Sequence, residues 1–291
     1  ILDPACGPGG FLIHALNWVF EHSIKPRFKN DLKNRKYQYA NSRLFGIDFD
    51  PRLMRVAKAM MLIAGDGKSN IYRVSSLDPR EWKNRSDGLA GAIQDGKFDL
   101  VMTNPPFAGS ISQPEILGSY DLAYKGDHTK HKRVNALTRD VLFIERCLRF
   151  LKPGGRLAIV LPQGNLNNTN AEYIRAYLME KARILAVVGL HVNSFKKFTG
   201  TKTSVVFLRK WQEGEKPLKD YPIFLAVNEN PMKDNSGEYR FKKRPDGTYE
   251  EEEIRDTHGR VHRKRIIDHD LDEIAEGFIE FARAQRFDFW K

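Results

Sequence analysis

Short apolar runs alternating with stretches of helical length constrain this chain more than any other feature. Ile1-Leu2-Asp3 reads as the tail of a buried strand, and residues 11–20 have helical length and composition. Residues 44–48 form a second strand that ends in an acid. Pro51 stands where a first helical residue belongs. After it, Leu53, Val56, Ala57, Met60, Met61 and Ala64 recur at helical spacing. Strands are expected over 71–75 and 98–103, a helix over 140–151, a strand over 157–161 and a helix over 171–181. Two further strands, 184–190 and 203–208, close the series. Such alternation predicts a three-layer α/β fold with a mainly parallel sheet. The last two strands are joined by a loop and not a helix, which predicts an antiparallel hairpin at the sheet edge.

Between these elements lie two irregular stretches. Residues 24–36 are basic and lack periodicity, and 108–137 form a long polar segment of a length uncommon unless functional. From Gln212 the texture changes. Pro217, Pro222 and Pro231 break the chain, and 245–248 and 257–260 are turn-like. The glutamates at 250–253 can face Arg263, Lys264 and Arg265 across a β-ribbon, with an amphipathic helix over 270–286. The chain is therefore expected to comprise a body, 1–211, and a C-terminal extension, 212–291. A strand pairs well with about five residues, so the first strand is expected to begin upstream of Ile1, and the aromatic-rich end at 287–291 to be cut.

Charge narrows the partners. Of 48 Lys+Arg and 37 Asp+Glu, 33 basic and 18 acidic residues lie in 1–211, against 15 and 19 in 212–291. A body at +15 suits a polyanion, although charge speaks to association and not to fold. The extension, at −4, is expected to pack against protein and not DNA. No run approaches the roughly 18 apolar residues of a membrane span. Two cysteines, Cys6 and Cys147, build no disulfide framework, so a reducing cytosol is the expected setting. Cys6 sits between small residues without a base to activate it, and Cys147 lies in a helix; both read as packing residues. The histidines are scattered. His128 and His131 lack the cysteine or acid partners of a metal site, so no metal is expected. His191 reads as a strand-end structural residue.

Three motifs carry chemistry. The first is the glycine-rich turn Asp3-Pro4-Ala5-Cys6-Gly7-Pro8-Gly9-Gly10 between a strand and a helix. Its glycines let backbone approach a ligand, and the helix start offers unpaired N–H groups. It is neither a GxGxxG fingerprint nor a P-loop. The second is Asp48 at a strand end, placed to accept ribose hydroxyls; Asp50, just before Pro51, reads as a helix cap. The third is Asn104-Pro105-Pro106-Phe107. Two prolines fix the backbone and remove two donors, leaving the Asn104 amide oxygen and the Pro105 carbonyl as acceptors for an exocyclic amine. Phe107 can stack on the ring that carries it. Lys130, His131, Lys132 and Arg133, in the segment that follows, are either phosphate contacts or a solvated loop.

In this order the motifs resemble the S-adenosylmethionine-dependent amino-methyltransferases that act on DNA adenine. ILDPACGPGGFLIHAL, LFGIDFDP, FDLVMTNPPF, LFIERCLRFLKPGGRLAIVLPQGNL and FKKFTGTKTSVVFL are most similar to the modification subunit of type I restriction-modification systems, over essentially residues 1–210. The resemblance implies a Rossmann-like methyltransferase fold. It implies that Asp3, Ala5, Gly7, Gly9, Gly10 and Phe11 surround the methionine end of S-adenosylmethionine. Asp48 would hold the ribose and Phe49 pack on the cofactor adenine, with Ser76 and Leu77 nearby. Where relatives carry an Asp, this chain has Ser75, so the cofactor adenine amine falls to Ser75, a backbone group or Asp78. Asn104, Pro105, Pro106 and Phe107 would form the catalytic corner. The resemblance also implies DNA, a specificity subunit, a second copy of this chain and a restriction subunit as partners. The Asn-Pro-Pro-Phe box is shared with methyltransferases of RNA and of protein glutamine, and a non-catalytic DNA-binding assembly subunit is the third class.

Overall fold

The computed structural model describes residues 1–65, 70–83, 85, 88–124, 132–255 and 261–287. Along the chain run β1 (Leu2–Asp3), α1 (Gly10–Val19), α2 (Leu32–Arg43), β2 (Phe45–Asp48), α3 (Pro51–Ala64), β3 (Ile71–Arg73) and β4 (Phe98–Thr103). Then come β5 (Ser110–Ile111), β6 (Leu137–Thr138), α4 (Arg139–Phe150), β7 (Leu151–Pro162), α5 (Glu172–Lys181), β8 (Ala182–Gly189) and β9 (Thr203–Lys210). β10 (Phe224–Val227), β11 (Glu251–Arg255), β12 (Val261–Arg265) and α6 (Leu271–Ala284) complete the series. The chain packs as two compact units, Ile1–Leu185 with Val206–Tyr221, and Ala186–Val205 with Pro222–Lys291.

In the first unit the strands stand in the order β8-β9-β7-β4-β1-β2-β3. β1 pairs in parallel with β2 and with β4, and β4 with β7. The order runs outward from β1 in both directions, so the loops leaving β1, β2 and β4 open on one edge, where α/β sheets bind ligands. Near its start β7 takes three extra residues against β4. Phe98 faces Leu151 but Leu100 faces Arg156, because Pro153 and the glycine pair cannot hold the register, and Gly154 has φ +75°. Trp211 N–H donates to the Lys181 carbonyl at 3.2 Å, and Leu190 N–H to the Thr203 carbonyl at 2.9 Å. Start bonded to end in this way makes β8 and β9 the antiparallel pair expected from the sequence.

One core explains the early elements. Cys6, Leu12, Leu16, Ala40, Leu44, Ala57, Met61 and Ile71 form a single buried cluster. Gly46 sits inside it: a Cβ there would stand 2.7 Å from Ile71 Cδ1 and 2.9 Å from Leu12 Cδ1. Only glycine lets α1 and β3 close on β2. The basic stretch read as irregular is helical over Lys25–Arg27 and again from Leu32, although only Ala40 of α2 is fully buried. The outward row Leu53, Val56 and Met60 of α3 is exposed, while Ala57 and Met61 face inward.

In the second unit β10 pairs in parallel with β8, from Phe224↔Ala186 to Val227↔Gly189. It is outermost of the eight strands, so an added strand covers the hairpin's outer edge. Phe278 and Phe281 of α6 lie 5.7 Å from the Phe224 ring. β11 and β12 form the ribbon, Glu251↔Arg265, Glu252↔Lys264 and Glu253↔Arg263. His191 ends its strand structurally: its N–H donates to Asn228 Oδ1 and its Nδ1 accepts from Asn193 N–H. His128, the 257–260 turn and residues 288–291 lie outside the described residues. No helix among the described residues is long and apolar enough to cross a membrane.

Candidate active site

Two-residue β1 delivers Asp3 to the ligand edge of the sheet. Its side chain is 2% exposed and accepts from Ala5 N–H at 3.1 Å. Burial pushes the carboxyl up to about 7, while the Thr103 hydroxyl and the Ala5 N–H favour its charged form. The folded protein then keeps a proton that the unfolded chain has lost between about pH 4 and 7. Stability therefore falls as pH rises through that window, by roughly 4 kcal/mol in all. Asp3→Asn is expected to flatten this dependence and to be the more stable protein near pH 8. Urea unfolding at about pH 5 and about pH 8 reads the difference.

The glycine turn is held from β2. Asp48 Oδ2 accepts from Gly7 N–H at 2.8 Å, and its Oδ1 from Asp50 N–H at 2.8 Å. Cys6 N–H donates to the Ile47 carbonyl at 2.9 Å. Gly7 and Gly9 take φ +52° and +87°, which an L side chain would strain. A Cβ on Gly7 or Gly10 would meet nothing within 4 Å, so there is open space over the turn. Phe11 is exposed beside it, and Phe49 is 71% exposed next to Asp48. Asp50 caps α3 by accepting from Arg52 N–H at 2.7 Å, the role its place before Pro51 predicts. Burial raises the thiols of Cys6 and Cys147, and at Cys6 the Asp3 and Asp48 charges add to it.

The segment after β3 closes against the same turn. Ser76 Oγ donates to the Pro4 carbonyl at 2.5 Å, so its hydroxyl is committed within the protein, and Leu77 is buried. Asp78 takes Arg80 in a two-pronged contact at 2.8 and 2.6 Å, and that hydrogen bonding holds its carboxyl below the usual range. Of the groups considered for the cofactor adenine, Asp78 is thus already engaged. Ser75 N–H donates to Glu81 Oε2 at 3.0 Å.

β4 brings the third motif alongside the first, with Leu2 paired to Val101 and Thr103 buried beside Asp3. Asn104 and Phe107 are half-buried, Pro105 buried and Pro106 exposed. Asn104 Oδ1 is screened from solvent and has no hydrogen-bond partner among the described residues. A native polar atom in that condition calls for a reason, because an unmet buried acceptor costs about 1–3 kcal/mol.

The described part of the long segment after the corner is folded. β5 pairs with β6, Ser110↔Thr138 and Ile111↔Leu137, and Arg139 N–H donates to the Gly109 carbonyl at 3.1 Å. Two residues without a motif fix it. Tyr120, buried, donates its hydroxyl to the Leu77 carbonyl at 2.8 Å. Glu145, fully buried in α4, accepts from Asp121 and Leu122 N–H, both at 2.9 Å, and pairs with Arg149. An acid inside the apolar run 141–148 was the available signal for Glu145; Tyr120 had none. Lys130 and His131 lie outside the described residues. Lys132 is exposed, and Arg133 Nη1 donates to the Pro114 carbonyl at 2.9 Å.

Comparison with known proteins accords with this arrangement. Residues 1–280 match the family model described as N-6 DNA Methylase. The type II restriction enzyme and methyltransferase RM.BcgI of Heyndrickxia coagulans is 26% identical over 198 residues, 67% of this chain and 25% of that protein. The methylase subunit of the type I restriction enzyme EcoEI of Escherichia coli is 26% identical over 216 residues, 73% of this chain and 38% of that subunit. The solved methyltransferase subunit of a type I restriction-modification system from Streptococcus thermophilus gives a TM-score of 0.57 at 20% identity. It covers 95% of this chain and 47% of its own, a likeness of fold. This chain thus spans less than half the length of each of these relatives. Together, the match over nearly all its residues and the order of the three motifs place the chain in the N-6 DNA methylase family.

Proposed function

We propose that residues 1–211 carry a site that transfers a methyl group from S-adenosylmethionine to N6 of an adenine in DNA. The chain would serve as the modification subunit of a type I restriction-modification system. The observation that carries this reading is the screened, unpartnered Asn104 Oδ1 on a proline-locked corner beside Asp3.

The residues at the glycine turn fit the cofactor. Space stands open over Gly7 and Gly10, so backbone at Ala5, Gly7, Gly9, Gly10 and Phe11 can approach its methionine end. There a cationic amino group would favour the charged form of Asp3. Asp48, with one bond on each oxygen, keeps lone pairs for both ribose hydroxyls, and Phe49 offers an exposed ring to the cofactor adenine. Ser76 and Leu77 would wall that ring from behind. Bound there, S-adenosylmethionine supplies an electrophilic methyl group.

The target adenine amine is a weak nucleophile because its lone pair is delocalised into the ring. Asn104 Oδ1 and the Pro105 carbonyl each accept one of its N–H bonds. That draws the nitrogen toward a tetrahedral shape and frees the lone pair. Positioning and polar stabilisation supply the rate; Pro106 stiffens the corner and Phe107 receives the base, which has to leave the duplex stack. A specificity subunit that reads the sequence, a second copy of this chain and a restriction subunit are the proposed partners. The test is methylation of whole bacterial DNA by the full-length protein, with and without a specificity subunit, followed by mapping of modified bases. N6-methyladenine at a defined sequence is expected; methylcytosine, or no modified base under any pairing, overturns the proposal.

A further inference from the structure

Outside the methyl-transfer machinery, residues 239–243 with Tyr249, Glu250 and Asp268 enclose a basic, aromatic cup of ≈ 620 Å³. We propose that this cup holds the phosphate backbone of duplex DNA, independently of sequence; the inference rests on the reading that the chain acts on DNA. Short pairings stiffen its walls: Phe241↔Ile267 and Lys243↔Tyr249 are bridged. Lys242 N–H donates to the Ile266 carbonyl at 2.9 Å, and Glu250 N–H to the Lys242 carbonyl at 3.0 Å. Arg240, Lys242 and Lys243 line it with Tyr239 and Tyr249.

The rings hold the cations in place. Lys243 Nζ stands 5.5 Å and Arg265 Cζ 4.1 Å from the Tyr249 centroid, and Lys233 Nζ lies 5.2 Å from that of Tyr239. Stems held this way lose less freedom when an anion arrives. Two acids share the lining, Glu250 and Asp268. Asp268 is already engaged, by Asn230 Nδ2 at 2.7 Å and by Arg240 at 3.7 Å. Lys242 has no carboxylate partner among the described residues.

The lining favours a polymer over a small anion. Arg240, Lys242 and Lys243 lie along one run of the lining, a row of cations that suits the repeated charges of a nucleic-acid strand. A single phosphate would be better served by converging backbone N–H groups. Other acids of the extension lie outside this lining. Those at 251–253 are set against Arg263, Lys264 and Arg265 in the ribbon, and Asp272, Glu273, Glu276 and Glu280 lie on α6. The net charge of the extension therefore conceals a basic surface, and we set aside the expectation that this part avoids DNA.

Fluorescence anisotropy of a labelled mixed-sequence duplex, titrated with the full chain at a series of salt concentrations, tests the cup. The double variant K242Q/K243Q is expected to bind more weakly on every sequence, with a salt slope smaller by about 2. Glu250→Lys is expected to bind more tightly with a slope steeper by about 1, a gain that misfolding cannot mimic. Slopes unchanged in both variants overturn the proposal, as does a wild-type chain that binds no duplex at any salt. Methylation assayed on the same preparations separates the two readings. Shifted slopes without any modified base leave the cup standing and remove the methyltransferase assignment.

Discussion

Replacing Asn104 by alanine is expected to slow methyl transfer by roughly 10²–10³-fold, the usual cost of removing one preorganised polar partner of a transition state. Affinity for S-adenosylmethionine is expected to stay within about twofold, because the contact proposed for Asn104 is to the reacting amine and not to the donor. The reasoning starts from the screened Oδ1, which has no partner of its own. Alanine removes an unmet acceptor, so the variant should fold at least as well as the parent. Single-turnover transfer measures the first quantity and calorimetry the second. A variant as active as the parent ends the assignment of Asn104, and one that cannot bind the donor shows that the corner serves the other ligand.

Glu145→Ala is expected to destabilise the protein by about 3–5 kcal/mol, the range for breaking a buried pair by removing one member. Burial raises the carboxyl of Glu145, while the Leu122 N–H and Arg149 favour its charge. Truncation leaves the Asp121 and Leu122 N–H groups without their acceptor. Glu145→Gln keeps an acceptor and is expected to lose about 1–2 kcal/mol. The segment released is the one whose Tyr120 hydroxyl holds the Leu77 carbonyl, so KM for S-adenosylmethionine is expected to rise in the alanine variant. Urea unfolding gives the first figure and initial rates the second. A stable alanine variant with an unchanged KM refutes the link between α4 and the cofactor wall.

The contrast between Asn104 and Glu145 shows what a linear sequence exposes. The Asn-Pro-Pro-Phe corner is contiguous, and the chemistry proposed for it is drawn from residue types in one local run, read in order with the other two motifs. The same holds for the glycine turn and for Asp48 and Asp50 around Pro51. Ser76 meets Pro4 across 72 positions, and Tyr120 meets Leu77 across 43; no local pattern announces either contact. Helix α2 stayed hidden because it buries so little that its sequence has no apolar stripe to read. β10 is a short run between Pro222 and Pro231, and its strand character comes from the partner it finds in β8. The basic cup was masked by averaging, since charge summed over 212–291 mixes the ribbon's paired glutamates with Lys242, which has no carboxylate partner among the described residues.

The buried cluster beneath the glycine turn has a consequence for how the chain is made. All of its members, from Cys6 to Ile71, lie upstream of β4. Synthesis proceeds from the N-terminus at about 5–20 residues per second, so these side chains can condense on one another before Asn104 has left the ribosome. The methyl-donor half would thus be assembled first, as the template against which β4 and the corner it carries later dock. A substitution at Gly46 would then act early, by stalling that first condensation, and its signature would be a slowed refolding rate in addition to a faster unfolding one.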